Sequence, residues 1–164
     1  MSFRGLGLLG GLGRGLARSP GEPGGAARQF GAIPYRRVDG EIVFLIITAR
    51  RTGRWIFPKG DPVEGLTPSE SAAEEAWEEA GVRGRIGAAP AGHYRTVKGG
   101  PGRAPVVVEM YPLEVEDQFD DWPEKGERKR HWAVLGEVRR LLSEPDLVAL
   151  AEKIAGVGGA RKAH

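Results

Sequence analysis

Residues 41–48 read Glu-Ile-Val-Phe-Leu-Ile-Ile-Thr, a continuous apolar run of the kind found in a strand central to a sheet covered on both faces. Just ahead, Phe30-Gly-Ala-Ile-Pro-Tyr-Arg reads as a first strand, with order beginning near Gln29 and Val38-Asp-Gly-Glu as the connecting turn. Arg50-Arg-Thr-Gly is a loop, and Trp55-Ile-Phe is a short strand ending at Pro58. The period then changes. Thr67-Pro-Ser-Glu supplies an N-cap, a proline at the first helical position and a glutamate three residues on, which is a capping-box signature. That helix runs to about Ala80 and stops at Gly81, a residue suited to a left-handed C-terminal position. Arg85–Val97 reads as one extended arm, Lys98-Gly-Gly-Pro-Gly-Arg as a turn, and Pro105–Val115 as the returning arm. A charged loop follows Asp120-Asp-Trp-Pro-Glu and leads to Trp132. An amphipathic helix near Leu135–Leu142 and a last helix near Pro145–Ile154 complete the pattern. Strands first, a helix in the middle and helices at the end predict an α/β fold, a mixed sheet layered between helices.

The ends differ from the middle. Residues 1–27 interrupt every short apolar stretch with Gly or Pro, so neither a stable element nor a signal-peptide apolar core forms. They read as a flexible tail, with a membrane-touching or targeting segment as the alternative. The domain is expected over 28–156, and 157–164 should fray as a second tail.

Composition narrows the class. A chain of 164 residues, 40% hydrophobic and 28% charged, suits one domain with a proper core. No apolar stretch approaches the ~20 residues that span a bilayer. There is no cysteine, hence no disulfide framework, thiolate metal site or cysteine nucleophile, and a reducing cytoplasm fits. Lys and Arg total 24 against 22 Asp and Glu, a balance that gives no argument for a nucleic-acid partner.

Within this ordinary balance one segment is unusually acidic. Residues 75–82 read Glu-Ala-Trp-Glu-Glu-Ala-Gly-Val. At about 100° per residue, Glu75, Glu78 and Glu79 share one helix face, where like charges repel by a few tenths of a kcal/mol per pair. A run of this kind is commonly a solvated face. A divalent cation bound through carboxylates and substrate phosphates would also account for it.

The spacing around this run decides between the two. From Gly60 the chain runs five residues to Leu66 and seven more to Glu74, and then enters Glu-Ala-Trp-Glu-Glu-Ala-Gly-Val. This 23-residue stretch, Gly60–Val82, resembles the Nudix box. Leu66 stands where that motif has a glutamate and Glu74 where it has an arginine. The two can pair in the family, so losing both removes an ion pair without stranding a charge. Gly31-Ala-Ile-Pro-Tyr-Arg, Leu45-Ile-Ile-Thr-Ala-Arg, Thr52-Gly-Arg-Trp-Ile-Phe-Pro-Lys-Gly, Trp122-Pro-Glu and Arg128-Lys-Arg-His-Trp resemble the diphosphoinositol polyphosphate phosphohydrolase group and its bacterial relatives.

The resemblance implies an α/β/α sandwich and Mg²⁺-dependent cleavage of a pyrophosphate linkage, with Mn²⁺ as an alternative ion. It implies a polyphosphorylated small-molecule substrate of the diadenosine polyphosphate or diphosphoinositol polyphosphate class. Glu75, Glu79 and the backbone carbonyl of Gly60 would ligate the metal. Glu78 would be the base or water-positioning group, with Glu124 or Glu127 as alternatives from another loop. Substrate phosphates would meet Arg50, Arg54 and Lys59 near the box, with Arg28, Arg36, Lys98, Arg128 and Arg130 as further candidates. Any of these cations also reads as a solvated surface residue. Trp55, Trp77 and Trp132 read as core, Trp122 stays open, and His93 and His131 read as structural. Rival functions are hydrolysis of a nucleoside triphosphate, of ADP-ribose or of an RNA 5′ end. A non-catalytic ligand-binding module, motivated by Leu66 and Glu74, is the rival from another class. The sequence assigns no oligomeric state.

Overall fold

The computed structural model describes residues 26–98 and 103–157. The segment read as an N-terminal tail, apart from Ala26 and Ala27, lies outside the described residues, as do residues 99–102 of the predicted turn and 158–164 of the C-terminal tail. The elements in order are β1 (Ala27–Val38), β2 (Glu41–Thr48), β3 (Trp55–Ile56), β4 (Lys59–Gly60), α1 (Pro68–Ala80) and β5 (Val82–Ile86). There follow β6 (Gly92–Lys98), β7 (Ala104–Gln118), β8 (Arg130–Val134), α2 (Leu135–Leu141) and α3 (Pro145–Ile154).

The strands form one mixed sheet with the path β3-β2-β1-β7-β5, while β4 pairs with β1, β6 with β7 and β8 with β2. Only the central β1–β7 ladder is parallel among the described pairings. Alternation along β2 sends Phe44 and Ile46 to one face and Leu45 and Ile47 to the other, all fully buried. The first face packs on Val138 of α2 and Leu147, Leu150 and Ala151 of α3. The second packs on Ala72, Ala76 and Ala80 of α1. The expected sandwich, a sheet between helical layers, is therefore the observed one. No helix among the described residues is long and apolar enough to cross a membrane.

Local signals act as read. Thr67 caps α1 by accepting from Glu70 N at 3.2 Å, Glu70 Oε1 accepts from Thr67 N at 3.1 Å, and Gly81 closes the helix at φ 67°. The β1–β2 turn places Asp39 and Gly40 at φ 50° and 82°, as a two-residue hairpin requires.

Three expectations need correction, each because pairing at a distance overrides local pattern. β1 begins at Ala27 rather than near Gln29, because its parallel ladder with β7 starts at the Ala27–Val106 pair. The arm at 85–97 is two strands. β5 and β6 pair in turn with the far and near halves of β7, and the break contains Pro90, which has no N–H to donate. The charged stretch before Trp132 contains β8, which pairs with β2 from Arg130 to Val134.

Candidate active site

Glu75 and Glu79 face the end of the sheet where β4 crosses β1, and the charge of Glu78 bears on Glu75 there. β4 is only Lys59–Gly60, paired with Phe30 and Gly31. Its place beside α1 depends on glycine: a Cβ at position 60 would fall within 3 Å of the Glu75 carboxyl group. The backbone N–H of Lys59 donates to Glu79 Oε1 at 3.3 Å. The turn before the helix thus touches both carboxylates through its main chain.

Glu79 is 3% exposed, and its second oxygen lies 3.1 Å from the Arg128 guanidinium, itself 8% exposed. Arg128 also approaches Glu124 Oε1 at 3.3 Å through Nε and donates to the Thr48 carbonyl at 3.0 Å. Arg50 lies 3.4 Å from both Glu124 and Glu127. Carboxylates crowded in a buried place resist ionisation. Burial, and then the charges of Glu79, Glu78 and Glu124, push Glu75 up to about 8. Burial raises Glu79 to about 7, Arg128 opposing and Glu124 adding to the rise. Burial lowers the Lys59 ammonium, with Glu79 and Asp61 opposing.

Among the described residues, no group of three or more His, Asp or Glu side chains is already arranged as a metal cage. Glu79 instead spends its oxygens on Arg128 and the Lys59 N–H. The donor chemistry nevertheless fits a hard divalent cation. Glu75, Glu79 and the Gly60 main chain offer oxygens only, and a cation would favour the ionised form of both carboxyls against the burial and neighbouring charge that raise them.

Beside these carboxylates lies an open cleft of about 460 Å³ between the loop after β2 and the segment before β8. Arg50, Lys125, Arg128 and Lys129 line it, with Glu127 the one acid. Such a wall attracts phosphate.

The residues singled out in the sequence divide by place. Gly60, Glu75, Glu79, Lys59, Arg50 and Arg128 gather at the crossing, and Glu78 bears electrostatically on Glu75 there. Lys59 Nζ donates to Gln29 Oε1 at 3.0 Å, Gln29 donates to Asp61 at 3.0 Å, and Lys98 lies 3.3 Å from Asp61. Arg54 is exposed at the end of its loop. Arg28 pairs with Glu109 on β7, Arg36 stacks 5.2 Å from the Trp132 ring centre, and Arg130 donates to the carbonyls of Ala80 and Phe119. Sequence reasoning did not mark Gln29, Asp61 or Thr48. Each acts through a partner on another strand or loop, a relation with no local signal.

The likenesses to known proteins agree with this geometry. No family model matches the chain. Nudix hydrolase 21, chloroplastic, of Arabidopsis thaliana is 33% identical over 123 residues, which cover 71% of this chain and 60% of the relative. The chain thus spans about three fifths of that relative's length. Diphosphoinositol polyphosphate phosphohydrolase 3-alpha of Homo sapiens is 28% identical over 123 residues, 74% of this chain and 72% of that one. In fold, the crystal structure of an Ap4A hydrolase from C. elegans matches with a TM-score of 0.56 at 22% identity, over 80% of this chain and 97% of the other. A NUDIX hydrolase from Nitrosomonas europaea matches with a TM-score of 0.63 at 15% identity, over 80% and 89%. With the Gly60–Val82 motif laid along α1 and the turn before it, the chain is similar in sequence and in fold to the Nudix hydrolases.

Proposed function

We propose that this chain is a Mg²⁺-dependent hydrolase that cleaves a P–O–P linkage in a polyphosphorylated small molecule. The observation that carries the reading is a pair of carboxylates, buried Glu79 and half-buried Glu75, drawn against the main chain of Lys59 and Gly60 beside a cationic cleft. Glu75, Glu79 and the Gly60 carbonyl would hold the ion, which when bound neutralises phosphate charge and acidifies water. The chain's own residues do the rest. Arg50 and the neighbouring cations of the cleft orient the phosphates. Glu78 takes a proton from the attacking water, with Glu124 as the alternative base from the opposite side. The water oxygen joins one phosphorus as the bridging oxygen leaves with the other, so one water is consumed per linkage cut.

Two similar proteins, the human diphosphoinositol polyphosphate phosphohydrolase and the C. elegans Ap4A hydrolase, suggest the substrate class. The test is the purified chain with Mg²⁺ or Mn²⁺ and a panel of a diadenosine polyphosphate, a diphosphoinositol polyphosphate, ADP-ribose, nucleoside triphosphates and a triphosphorylated RNA. Turnover of one of the first two, lost in Glu79→Gln with the fold intact, supports the reading. The rival module without catalysis is favoured by Leu66, which is 38% exposed and stands where the motif has a carboxylate. Tight nucleotide binding without phosphate release from any compound would establish that rival instead.

A further inference from the structure

An α-helix leaves its last four carbonyls without partners in the helix, and in water they would simply be hydrated. In α1 each has a specific partner. Trp77 O accepts from Gly81 N at 3.0 Å, as the left-handed cap dictates. Glu78 O accepts from Glu124 N at 3.0 Å, Glu79 O from Trp122 Nε1 at 3.2 Å, and Ala80 O from Arg130 at 2.9 Å. Three consecutive carbonyls of the turn bearing Glu78 and Glu79 are therefore held by Trp122 and Glu124, in the strap linking β7 to β8, and by Arg130 where that strap enters β8.

The strap is itself braced. The Arg130 guanidinium lies 3.8 Å from the Trp122 ring centre and donates to Phe119 O at 2.8 Å as well as to Ala80. Gly81 makes room for this stack: a Cβ there would come within 3 Å of both Trp122 and Arg130 side chains. The same strap delivers Glu124 and Arg128 to the carboxylates. One connection thus grips the helix end from behind and faces Glu79 from the front.

We infer that Trp122 and Arg130 are positioning residues that fix the axial place and rotation of the last turn of α1, and with it the separation of Glu79, Glu75 and the Gly60 main chain. The inference rests on the hydrolase reading above. It assigns Arg130 a role other than phosphate binding, since its guanidinium is committed to two backbone carbonyls and an aromatic face. A displacement of about 1 Å in such a site costs on the order of a hundredfold in rate, so a helix-end clamp controls chemistry it never touches.

The experiment compares the full chain with Trp122→Phe, which keeps a ring but loses the N–H, and with Arg130→Met and Arg130→Lys. Three quantities are read: kcat and KM on the best substrate of the panel at saturating Mg²⁺, Mn²⁺ affinity from the free-ion electron paramagnetic resonance signal, and the melting temperature. Expected are a kcat lowered about threefold to tenfold in Trp122→Phe, the scale of one hydrogen bond, and about tenfold to a hundredfold in Arg130→Met. Mn²⁺ binding should weaken in parallel while KM stays within about twofold of wild type. Arg130→Lys should recover part of the loss.

Arg130→Met raising KM with kcat and Mn²⁺ affinity unchanged would make Arg130 a phosphate ligand and overturn the inference. A lowered melting point with kcat and Mn²⁺ affinity intact would reduce the clamp to a structural contact and overturn it equally. If Arg130→Met does not fold, Trp122→Phe alone decides by the same criteria. Wild-type protein that neither binds Mn²⁺ nor turns over any compound sinks the hydrolase reading itself, an outcome distinct from inert variants of an active enzyme.

Discussion

Glu75 is the residue whose replacement separates binding from stability most cleanly. In the folded chain its carboxyl is pushed up to about 8 by burial and by three neighbouring carboxylates, against an ordinary value near 4.5 when unfolded. A raised carboxyl favours folding below the unfolded value and loses that advantage as pH climbs through the folded one. Below pH 4.5 wild type and Glu75→Gln should therefore melt together. Between 4.5 and 8 wild type falls progressively behind, and above 8 the gap is complete. A rise from 4.5 to about 8 corresponds to about 5 kcal/mol. Glu75 is only half-buried, and screening by solvent brings the figure to on the order of 2–3 kcal/mol. For a chain of this size that is roughly 5–10 °C. The assay is a melting series from pH 4.5 to 9 with chelator, then with Mg²⁺. A cation at a hundred times its dissociation constant adds about 2.7 kcal/mol to wild type and much less to the variant, closing or inverting the gap. A difference that does not vary with pH, or a variant that gains from Mg²⁺ as wild type does, would refute the reasoning.

Arg128→Met leaves Glu79 buried without its guanidinium, which should lower the melting temperature by roughly 10 °C, since stranding one partner of a buried pair costs about 3–5 kcal/mol; a loss under about 3 °C would show that the pair carries no weight. Gly60→Ala puts a methyl group onto the Glu75 carboxyl, the movable end of a side chain. The melting point should therefore shift by no more than about 4 °C while the Mg²⁺ response and turnover collapse, and retention of both would clear glycine of any role. Thr67→Ala removes the N-cap far from the chemistry, with an expected loss of about 1 kcal/mol, or roughly 2–4 °C; unchanged kcat and KM are expected, and a changed kcat would mean that the helix start feeds into the site.

What could be read from the chain is what depends on near neighbours. Thr67, Glu70 and Gly81 mark the boundaries of α1 through bonds to residues within four positions and Pro68 through its own ring, and the structure places those boundaries where the sequence does. The Asp39-Gly40 turn is local in the same sense. β8 was not legible, because Arg130-His-Trp-Ala-Val becomes a strand only by pairing with a segment some eighty-five residues earlier. The cations show the same limit more sharply. Residue type marks Arg28, Arg36, Arg128 and Arg130 alike as phosphate donors. Their partners are a carboxylate on β7, an indole, one buried and one half-buried glutamate with a carbonyl, and two carbonyls with an indole. Nothing within five residues of any of them distinguishes those fates, apart from the Arg128–Glu124 spacing of four.

The acidic face, by contrast, contains its own ranking. Ala72, Ala76 and Ala80 lie at about 0°, 40° and 80° around the helix axis, a stripe centred near 40°. Their small side chains let α1 settle closely on Leu45, Ile47 and Leu113. On the same wheel Glu79, Glu75 and Glu78 stand about 60°, 100° and 160° from the centre of that stripe. Burial follows that order at the near end: Glu79 is 3% exposed and Glu75 half-buried. The alanines that build the core thus also decide which carboxylate is driven into it, and a glutamate forced under the helix needs the counter-charge that Arg128 supplies from across the site. The resistance to ionisation at Glu75 and Glu79 is a consequence of packing, present before any ligand arrives. A divalent cation would then offset the cost of ionising these carboxyls, which burial imposes first and the neighbouring acids increase.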